Sequence, residues 1–211
     1  MIRVILVTMC VVWAVGCVPE KPAKKQVEKA PMESPMGERP ANPHGNAGGP
    51  GLDLNGLMAS LPEGWKKVTP SSSMRLGQAA LTRAGGDTLD AELAIFHFPG
   101  TGGSSAANLQ RWEGQMEGPN GEPGASVAKK DTMRLDNGIM VITVDISGTQ
   151  LPSGMGMGPT TAMPNSRMIA SVLETPGGNY FVKVTGPKNT VAAHEAKLRA
   201  FLKSAKLGGD A

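Results

Sequence analysis

Two charged residues, Lys183 and Asp145, stand in runs of sequence that otherwise predict buried strands. A charge in a strand that is covered on both sides must be paired or must reach the rim of the sheet. A structural ion pair between these two residues is therefore one interpretation. The other is a ligand site, in which Lys183 joins Arg75 or Arg111 in a small cluster that holds an anion.

A second group of side chains with chemical potential lies in the Gly/Pro-rich segment 151–164, which contains Met155, Met157 and Met163. Thioether sulfur is a soft ligand that suits Cu(I), so these residues are a weak candidate metal site. A methionine-rich loop also makes adaptable apolar contacts with neighbouring surfaces. The chain has 13 methionines, and both interpretations stay open.

The usual sequence signatures of catalysis are missing from the chain. His97 and His194 both fall on apolar faces of their predicted elements, which is typical of packed histidines. No serine occupies a Gly-x-Ser-x-Gly turn, and no Walker loop, dinucleotide fingerprint or HExxH motif occurs. We therefore expect a non-enzymatic domain that needs no cofactor.

Cys17 stands where an apolar leader ends and a polar segment begins. The apolar run 4–15 follows Arg3 and is too short to cross a bilayer, which is typical of a secretory signal. Residues 14–17, Ala-Val-Gly-Cys, resemble the bacterial lipobox, in which cleavage precedes a cysteine that carries diacylglycerol. We predict a lipoprotein signal peptide over residues 1–16 and lipidation of Cys17, with ordinary secretion as the alternative.

The lipobox resemblance also predicts where the protein is located. A residue other than Asp after the cysteine, here Val18, implies the outer membrane rather than the inner membrane of a Gram-negative cell. The leader takes Cys10 with it, so the exported part would have no free thiol and no disulfide. A formal net charge of +3, without a basic stripe, argues against nucleic acid as a partner.

Composition divides the rest of the chain into a linker and one domain. Residues 17–58 are rich in Pro and Gly and lack aromatic side chains, so they cannot bury enough apolar surface to fold. We predict that they form a disordered tether after the lipidated cysteine. Residues 59–211 have the length of a single domain with its own core.

Hydrophobic patterning in this domain predicts the element order βββ-α-ββββ-α. The predicted strands are residues 65–69, 76–83, 90–98, 127–135, 139–147, 167–174 and 179–185, and the predicted helices are residues 104–117 and 190–206. Several strands are apolar at odd and even positions, which indicates burial on both faces. We expect an α+β fold, with a mainly antiparallel sheet of about six or seven strands and a helix layer on each face.

Three segments carry a resemblance to known proteins: Met74-Arg75, the pattern GG…N..RW.GQ within 102–115, and YFVK.TGP at 180–187. With the Pro-x-Gly-Trp start at 62–65 and the element order, they resemble PsbP-like domains. They also resemble uncharacterised bacterial lipoproteins, notably of planctomycetes. The resemblance implies a PsbP-like α/β/α sandwich in the cell envelope and supplies no catalytic residue.

These expectations combine into one functional hypothesis and one alternative. The first is a lipid-anchored, exported envelope protein whose non-enzymatic domain binds a protein partner. The alternative is an envelope protein that binds a small ligand near Lys183, or Cu(I) in the methionine-rich loop.

The anchor prediction is tested by growing cells with radioactive palmitate. Cys17→Ala should abolish the label, because the acyl chains depend on that sulfur, whereas Cys10→Ala should keep it, because Cys10 leaves with the leader. A labelled Cys17→Ala protein, or an unlabelled wild type that keeps residues 1–16, would contradict the prediction.

Overall fold

The structure is a computed structural model that describes residues 51–100, 102–153 and 158–208. The chain divides into two compact units, residues 1–43 and 44–211, and all described residues belong to the second. The predicted signal peptide, Cys17 and linker residues up to 50 lie outside the described residues. Among the residues that are described, no helix is long and apolar enough to span a membrane.

The described residues form eleven strands and three helices, in an order close to the predicted one. They are β1 (Gly51–Asp53), β2 (Leu57–Ser60), β3 (Trp65–Lys67), β4 (Arg75–Leu81), β5 (Ala91–His97), α1 (Ser105–Glu113), β6 (Met116–Glu117), α2 (Gly124–Val127), β7 (Lys129–Arg134), β8 (Met140–Gln150), β9 (Met163–Glu174), β10 (Tyr180–Pro187), α3 (Lys188–Lys203) and β11 (Lys206–Leu207).

The main sheet has eight strands in the order β3-β4-β5-β10-β9-β8-β6, and β7 pairs with β8 beside β6. All of its pairings are antiparallel, as the hairpin turns in the sequence predict. Strand β7 lies at an edge, and its charged residues Lys129, Lys130, Asp131 and Arg134 are exposed. The α+β class and the mainly antiparallel sheet are thus confirmed, with one strand more than expected.

A second sheet of three strands, β1-β2-β11, corrects the predicted linker boundary at residue 58. Residues 51–58 are folded, because Leu52, Leu54 and Leu57 are buried and the chain reverses at Asn55-Gly56, where both φ angles are positive. The linker prediction was wrong here because Pro/Gly-rich composition concealed a hairpin with leucines on both sides of an Asn-Gly turn.

The first helix also ends earlier than predicted, at Glu113. Gly114 follows as the C-cap, and glycine is a poor helix former. Met116 then pairs with Gln150 of β8 as part of the short strand β6. Met116 is therefore buried as part of a strand and not as part of the helix predicted over residues 104–117.

Apolar side chains form two separate buried clusters. The α3 cluster joins residues of α3 with the small sheet and with β3, β4, β5, β8, β9 and β10, and it includes Trp65, Leu93, Val182, Val184, Leu198 and Phe201. The α1 cluster joins residues of α1 with β5, β6, β8, β9 and β10, and it includes Phe96, Trp112, Ile146, Met168, Val172 and Phe181. Successive residues of β10 enter different clusters, because side chains alternate along a strand.

The start of α3 is held by an aspartate from a distant loop. Asp87 Oδ2 accepts hydrogen bonds from the backbone N–H (2.7 Å) and the hydroxyl (2.8 Å) of Thr190, in the first turn of the helix. A carboxylate is favourable at this end of a helix. Desolvation acts to raise the pKa of Asp87, but the hydrogen bonds from Thr190 and Asn189 outweigh it and leave that pKa below its ordinary value.

We expect Asp87→Asn to lower Tm at pH 7, because it removes the charge that these donors stabilise. A lowered pKa in the folded state contributes stability above the ordinary pKa of 3.8, and this contribution is lost as the pH falls through the folded-state value. The Tm difference between wild type and variant, followed by circular dichroism, should therefore shrink in acid. Asp136→Asn, in an exposed turn, is the control. A Tm difference that does not change with pH would refute this account.

Candidate functional site

The main candidate site is a cavity of about 270 Å³ between α1 and the main sheet, which we call the Lys183 pocket. Its lining comes from β5, β10, α1 and nearby loops, including the turn before β4, and consists of Met74, Phe96, Phe98, Gly102, Arg111, Trp112, Gln115, Phe181 and Lys183. The lining contains two cations and no carboxylate. The rest of it is mainly aromatic.

Small neighbours on the sheet leave space around Lys183. Its partners in register are Ala94 on β5 and Ala170 on β9, and directly opposed residues of an antiparallel pair lie on the same face. Lys183 is only 7% exposed. Its Nζ donates a hydrogen bond to Gln115 Oε1 at 3.3 Å, and within the described residues it forms no salt bridge.

Burial and nearby cations disfavour the charged form of this lysine. Desolvation is the largest cause that lowers the pKa of Lys183, and Arg75 and Arg111 lower it further. Glu92 acts in the opposite direction. The result is a pKa of about 8, below the ordinary value of 10.5.

Arg75 is the third cation of this region, and it is already partly neutralised. Its side chain is 7% exposed, and its Nη1 lies 2.7 Å from Glu92 Oε1. Nε and Nη1 make no directed hydrogen bond, so the contact with Glu92 is an ion pair of poor angular geometry. The guanidinium also lies 5.9 Å from the centre of the Phe96 ring, a cation–π distance.

Aromatic rings form the walls of the pocket. Trp112 meets Phe181 edge-on at 6.2 Å between ring centres, and Phe98 lies 6.2 Å from Phe181 and 6.3 Å from Phe96. These four side chains are half of all Phe, Tyr and Trp residues in the chain. Such a concentration in a chain with only 4% aromatic residues favours a planar apolar ligand.

The loop before α1 brings backbone close to these rings. A Cβ on Gly102 would lie 2.9 Å from Cε2 of Phe181, so a glycine is required for this approach. Asn108 fixes the loop, because its Nδ2 donates to the carbonyls of Gly102 (2.7 Å) and Ser104 (3.0 Å). Its Oδ1 accepts a hydrogen bond from Arg111 Nη2 at 2.6 Å, which orients the guanidinium.

The predicted pair between Lys183 and Asp145 is not formed. Asp145 accepts hydrogen bonds from Arg167 Nε (2.8 Å) and Nη2 (2.6 Å), and Arg167 Nη2 also contacts Glu195 of α3 at 2.7 Å. Asp145 lies opposite Ile169 of the α3 cluster, whereas Lys183 lies on the face of the α1 cluster. The two charges are therefore on opposite faces of the sheet, and Asp145 is no part of the Lys183 pocket.

Both histidines have structural contacts. His194 Nδ1 accepts a hydrogen bond from Trp65 Nε1 at 2.9 Å, so its Nε2 carries the proton and donates to the Thr82 carbonyl at 3.0 Å. His97 stacks on Tyr180 with 4.0 Å between ring centres. These contacts agree with the packed positions that the sequence pattern predicts.

The copper hypothesis stays a prediction. Met155 and Met157 lie outside the described residues, and Met163 is a partly buried residue at the start of β9. Met163 lines a different cavity, beside Arg75 and Glu92. In the described ranges, no group of three His, Cys, Asp or Glu side chains is arranged to hold a metal ion.

Of the predicted anion cluster, the structure brings Lys183 and Arg111 into one cavity and puts Arg75 near it. Sequence reasoning missed Gln115, Met74 and the aromatic walls as parts of the site. One signal was available, because Met74-Arg75, residues 102–115 and residues 180–187 carry the family resemblance and all three supply the pocket's lining.

Comparisons with known proteins include structural matches. No protein family matches the chain, and no curated protein matches it. The solution structure of cyanobacterial PsbP (CyanoP) from Synechocystis sp. PCC 6803 matches 78% of this chain and 96% of that chain, with 11% sequence identity and a TM-score of 0.42. At this level of similarity, the PsbP-like classification stays a prediction.

Lys183→Met should stabilise the protein at pH 7, because it removes a buried charge that has only an amide oxygen as partner. The shift from 10.5 to about 8 corresponds to a penalty of about 3 kcal/mol, so we expect a gain of about 1–3 kcal/mol in the free energy of unfolding. Urea denaturation measures this gain. Lys66→Met, at an exposed position, should change it little.

The pH dependence gives a second readout for the same variant. Folded wild type loses the Lys183 proton near pH 8, while the unfolded chain keeps it to about 10.5, so stability should rise with pH across this window. This rise should be absent from Lys183→Met. A variant that is less stable than wild type at pH 7 would mean that Lys183 has a favourable partner.

Proposed function

We propose that this protein is a lipid-anchored, exported envelope protein whose α+β domain binds a small organic anion with an aromatic body in the Lys183 pocket. The observation that carries the proposal is that the ammonium group of Lys183 is buried and faces an aromatic cavity. It has no carboxylate partner within the described residues.

An anionic ligand would remove the electrostatic cost of this arrangement. A buried charge is costly unless it is paired and hydrogen-bonded. A carboxylate in the pocket would be close to Lys183 at the floor and to Arg111, which is exposed at the mouth. Glu92 does not compete for this role, because it already holds Arg75 and accepts a hydrogen bond from Gln78 Nε2 at 2.7 Å.

The size of the cavity favours a compact ligand. Its 270 Å³ is slightly below the range of about 300–1,000 Å³ that is typical of ligand pockets. One or two fused rings with an acidic substituent suit this space and its aromatic walls. Of the two hypotheses from the sequence, the pocket favours small-ligand binding over a protein partner.

We infer that α1 and α3 are helix layers on opposite faces of the main sheet, as in the predicted sandwich. The division of β10 side chains between the two clusters supports this arrangement. Helix α1 packs mainly on β8 and β9, so its cover of that face decreases towards β5 and β4. The pocket lies at this boundary, which gives a ligand a route to Lys183.

The lipid anchor and linker would determine which molecules the pocket meets. An acylated Cys17 would keep the domain at the membrane surface, and the Pro/Gly-rich residues 18–50 would allow it to move above the lipid headgroups. The domain would therefore bind small acids in the envelope compartment. We propose binding or carriage of the ligand rather than its chemical conversion.

The test is calorimetric titration of the purified full-length protein in lipid nanodiscs with 2-naphthoate and with the neutral 2-naphthalenemethanol. The alcohol has the same rings and lacks the charge, so we expect it to bind at least about tenfold more weakly, equivalent to about 1.4 kcal/mol. Lys183→Met should weaken 2-naphthoate binding by a similar factor, and Lys66→Met should leave it unchanged.

Lipid partitioning of one ligand affects wild type and variants equally, so it cancels between these proteins. The acid and the alcohol partition differently, so their affinities are corrected by titration of empty nanodiscs. Equal binding of the acid and the alcohol, or equal binding of 2-naphthoate by wild type and Lys183→Met, would refute the proposed function. Equal binding by wild type and Lys66→Met is required for the effect to be specific to the pocket.

A further inference from the structure

Lys183 differs from every other lysine that the structure describes. The remaining eight described lysines are all exposed: Lys66, Lys67, Lys129, Lys130, Lys188, Lys197, Lys203 and Lys206. Lys183 alone among the described lysines is buried, and it lines a mainly apolar cavity. An amine in such surroundings has chemistry that an exposed lysine lacks at neutral pH.

The groups around the amine favour its neutral form. Arg75 on β4 and Arg111 on α1 face it as cations, Glu92 on β5 is the one anion that acts on it, and Gln115 is uncharged. With a pKa of about 8, about a tenth of the Lys183 side chains are neutral at pH 7. For an amine with the ordinary pKa of 10.5, that fraction is about 300-fold smaller.

We propose that Lys183 forms a reversible imine with aldehydes that carry an aromatic body, so that the pocket captures such aldehydes covalently. The proposal rests on the same pocket as the proposed function, but on the nucleophilic amine instead of the ammonium ion. It assigns Lys183 as a covalent modification site, with aromatic aldehydes as the ligand class.

The reaction is balanced without any further reactant. The lone pair of Nζ attacks the carbonyl carbon, the new C–N bond forms, and the oxygen takes up the proton that the nitrogen loses. The C–O bond of this carbinolamine then breaks, the C=N bond forms, and the hydroxyl leaves as water with the remaining proton of the nitrogen. One amine and one aldehyde therefore give one imine and one water, with no change in oxidation state.

The pocket favours the imine in two ways. Gln115 Oε1 accepts one N–H of Lys183 at 3.3 Å, which restrains the amine while its lone pair stays free. The rings of Phe98, Trp112 and Phe181 line the space where the aldehyde's ring would lie, so water would be displaced from the product. Hydrolysis needs that water, and an apolar wall slows its return.

The experiment is reductive trapping on the full-length protein in lipid nanodiscs. Limiting 2-naphthaldehyde is added at pH 7 with sodium cyanoborohydride, which converts the imine to a stable amine, and the modified lysine is identified by peptide mass mapping. We expect Lys183 to be modified at least about tenfold more than any exposed lysine, because a larger fraction of its amine is neutral. Propionaldehyde, which has no ring, should lose most of this selectivity.

Lys183→Arg is the matched variant, because it keeps a cation in the pocket and cannot form the imine. It should eliminate the dominant modification and still bind 2-naphthoate. Binding of 2-naphthoate with modification of Lys183 no greater than that of the exposed lysines would overturn the imine proposal and leave the proposed function standing. Selective trapping at Lys183 without 2-naphthoate binding would support the imine and refute the anion-binding function.

Discussion

Strand β10 runs through the middle of the main sheet with both of its backbone edges paired, to β5 and to β9. Its side chains must therefore enter one of two buried clusters, and a charged side chain in this strand has no direct path to bulk water. Lys183 lies opposite the small side chains of Ala94 and Ala170, and its amine donates to the amide oxygen of Gln115. Gly102 adds no side chain beside Phe181. A cavity therefore remains above the strand, and this cavity allows a lysine to occupy the position.

The two faces of the sheet differ in how completely their buried charges are paired. On the α3 face, Arg167 is bound by Asp145 and by Glu195, so its charge is fully paired. On the α1 face, Arg75 takes the nearby carboxylate of Glu92, and Lys183 is left with an amide oxygen. The first arrangement is complete without a ligand. In our proposal, the second would be completed by an anion or relieved by loss of a proton, which connects the electrostatics of the fold to its proposed chemistry.

Local patterns were sufficient to predict most of the sheet, whereas pairings between distant segments were not. The strands with apolar residues on both faces and the turn at Asp136-Asn137-Gly138 depend on neighbours in sequence, so their existence could be predicted. The hairpin at Leu52 to Leu57 was missed because proline and glycine in the preceding segment dominated its composition. The partner of Asp145 could not be predicted, since it depends on strand register and on which face each residue occupies. The aromatic walls of the pocket come from three distant segments, and only the folded chain brings them together.

With the proposed lipid anchor, the exposed charges of the edge strand β7 would acquire a particular importance. Confinement to two dimensions raises the local concentration of copies and holds them in similar orientations, which are the conditions under which open sheet edges join and extend. Lys129, Lys130 and Arg134 make such joining electrostatically and sterically unfavourable, as is common at strand edges in natural proteins. The sequence of β7 would thus keep a crowded population of domains separate, so that each pocket stays open to its surroundings.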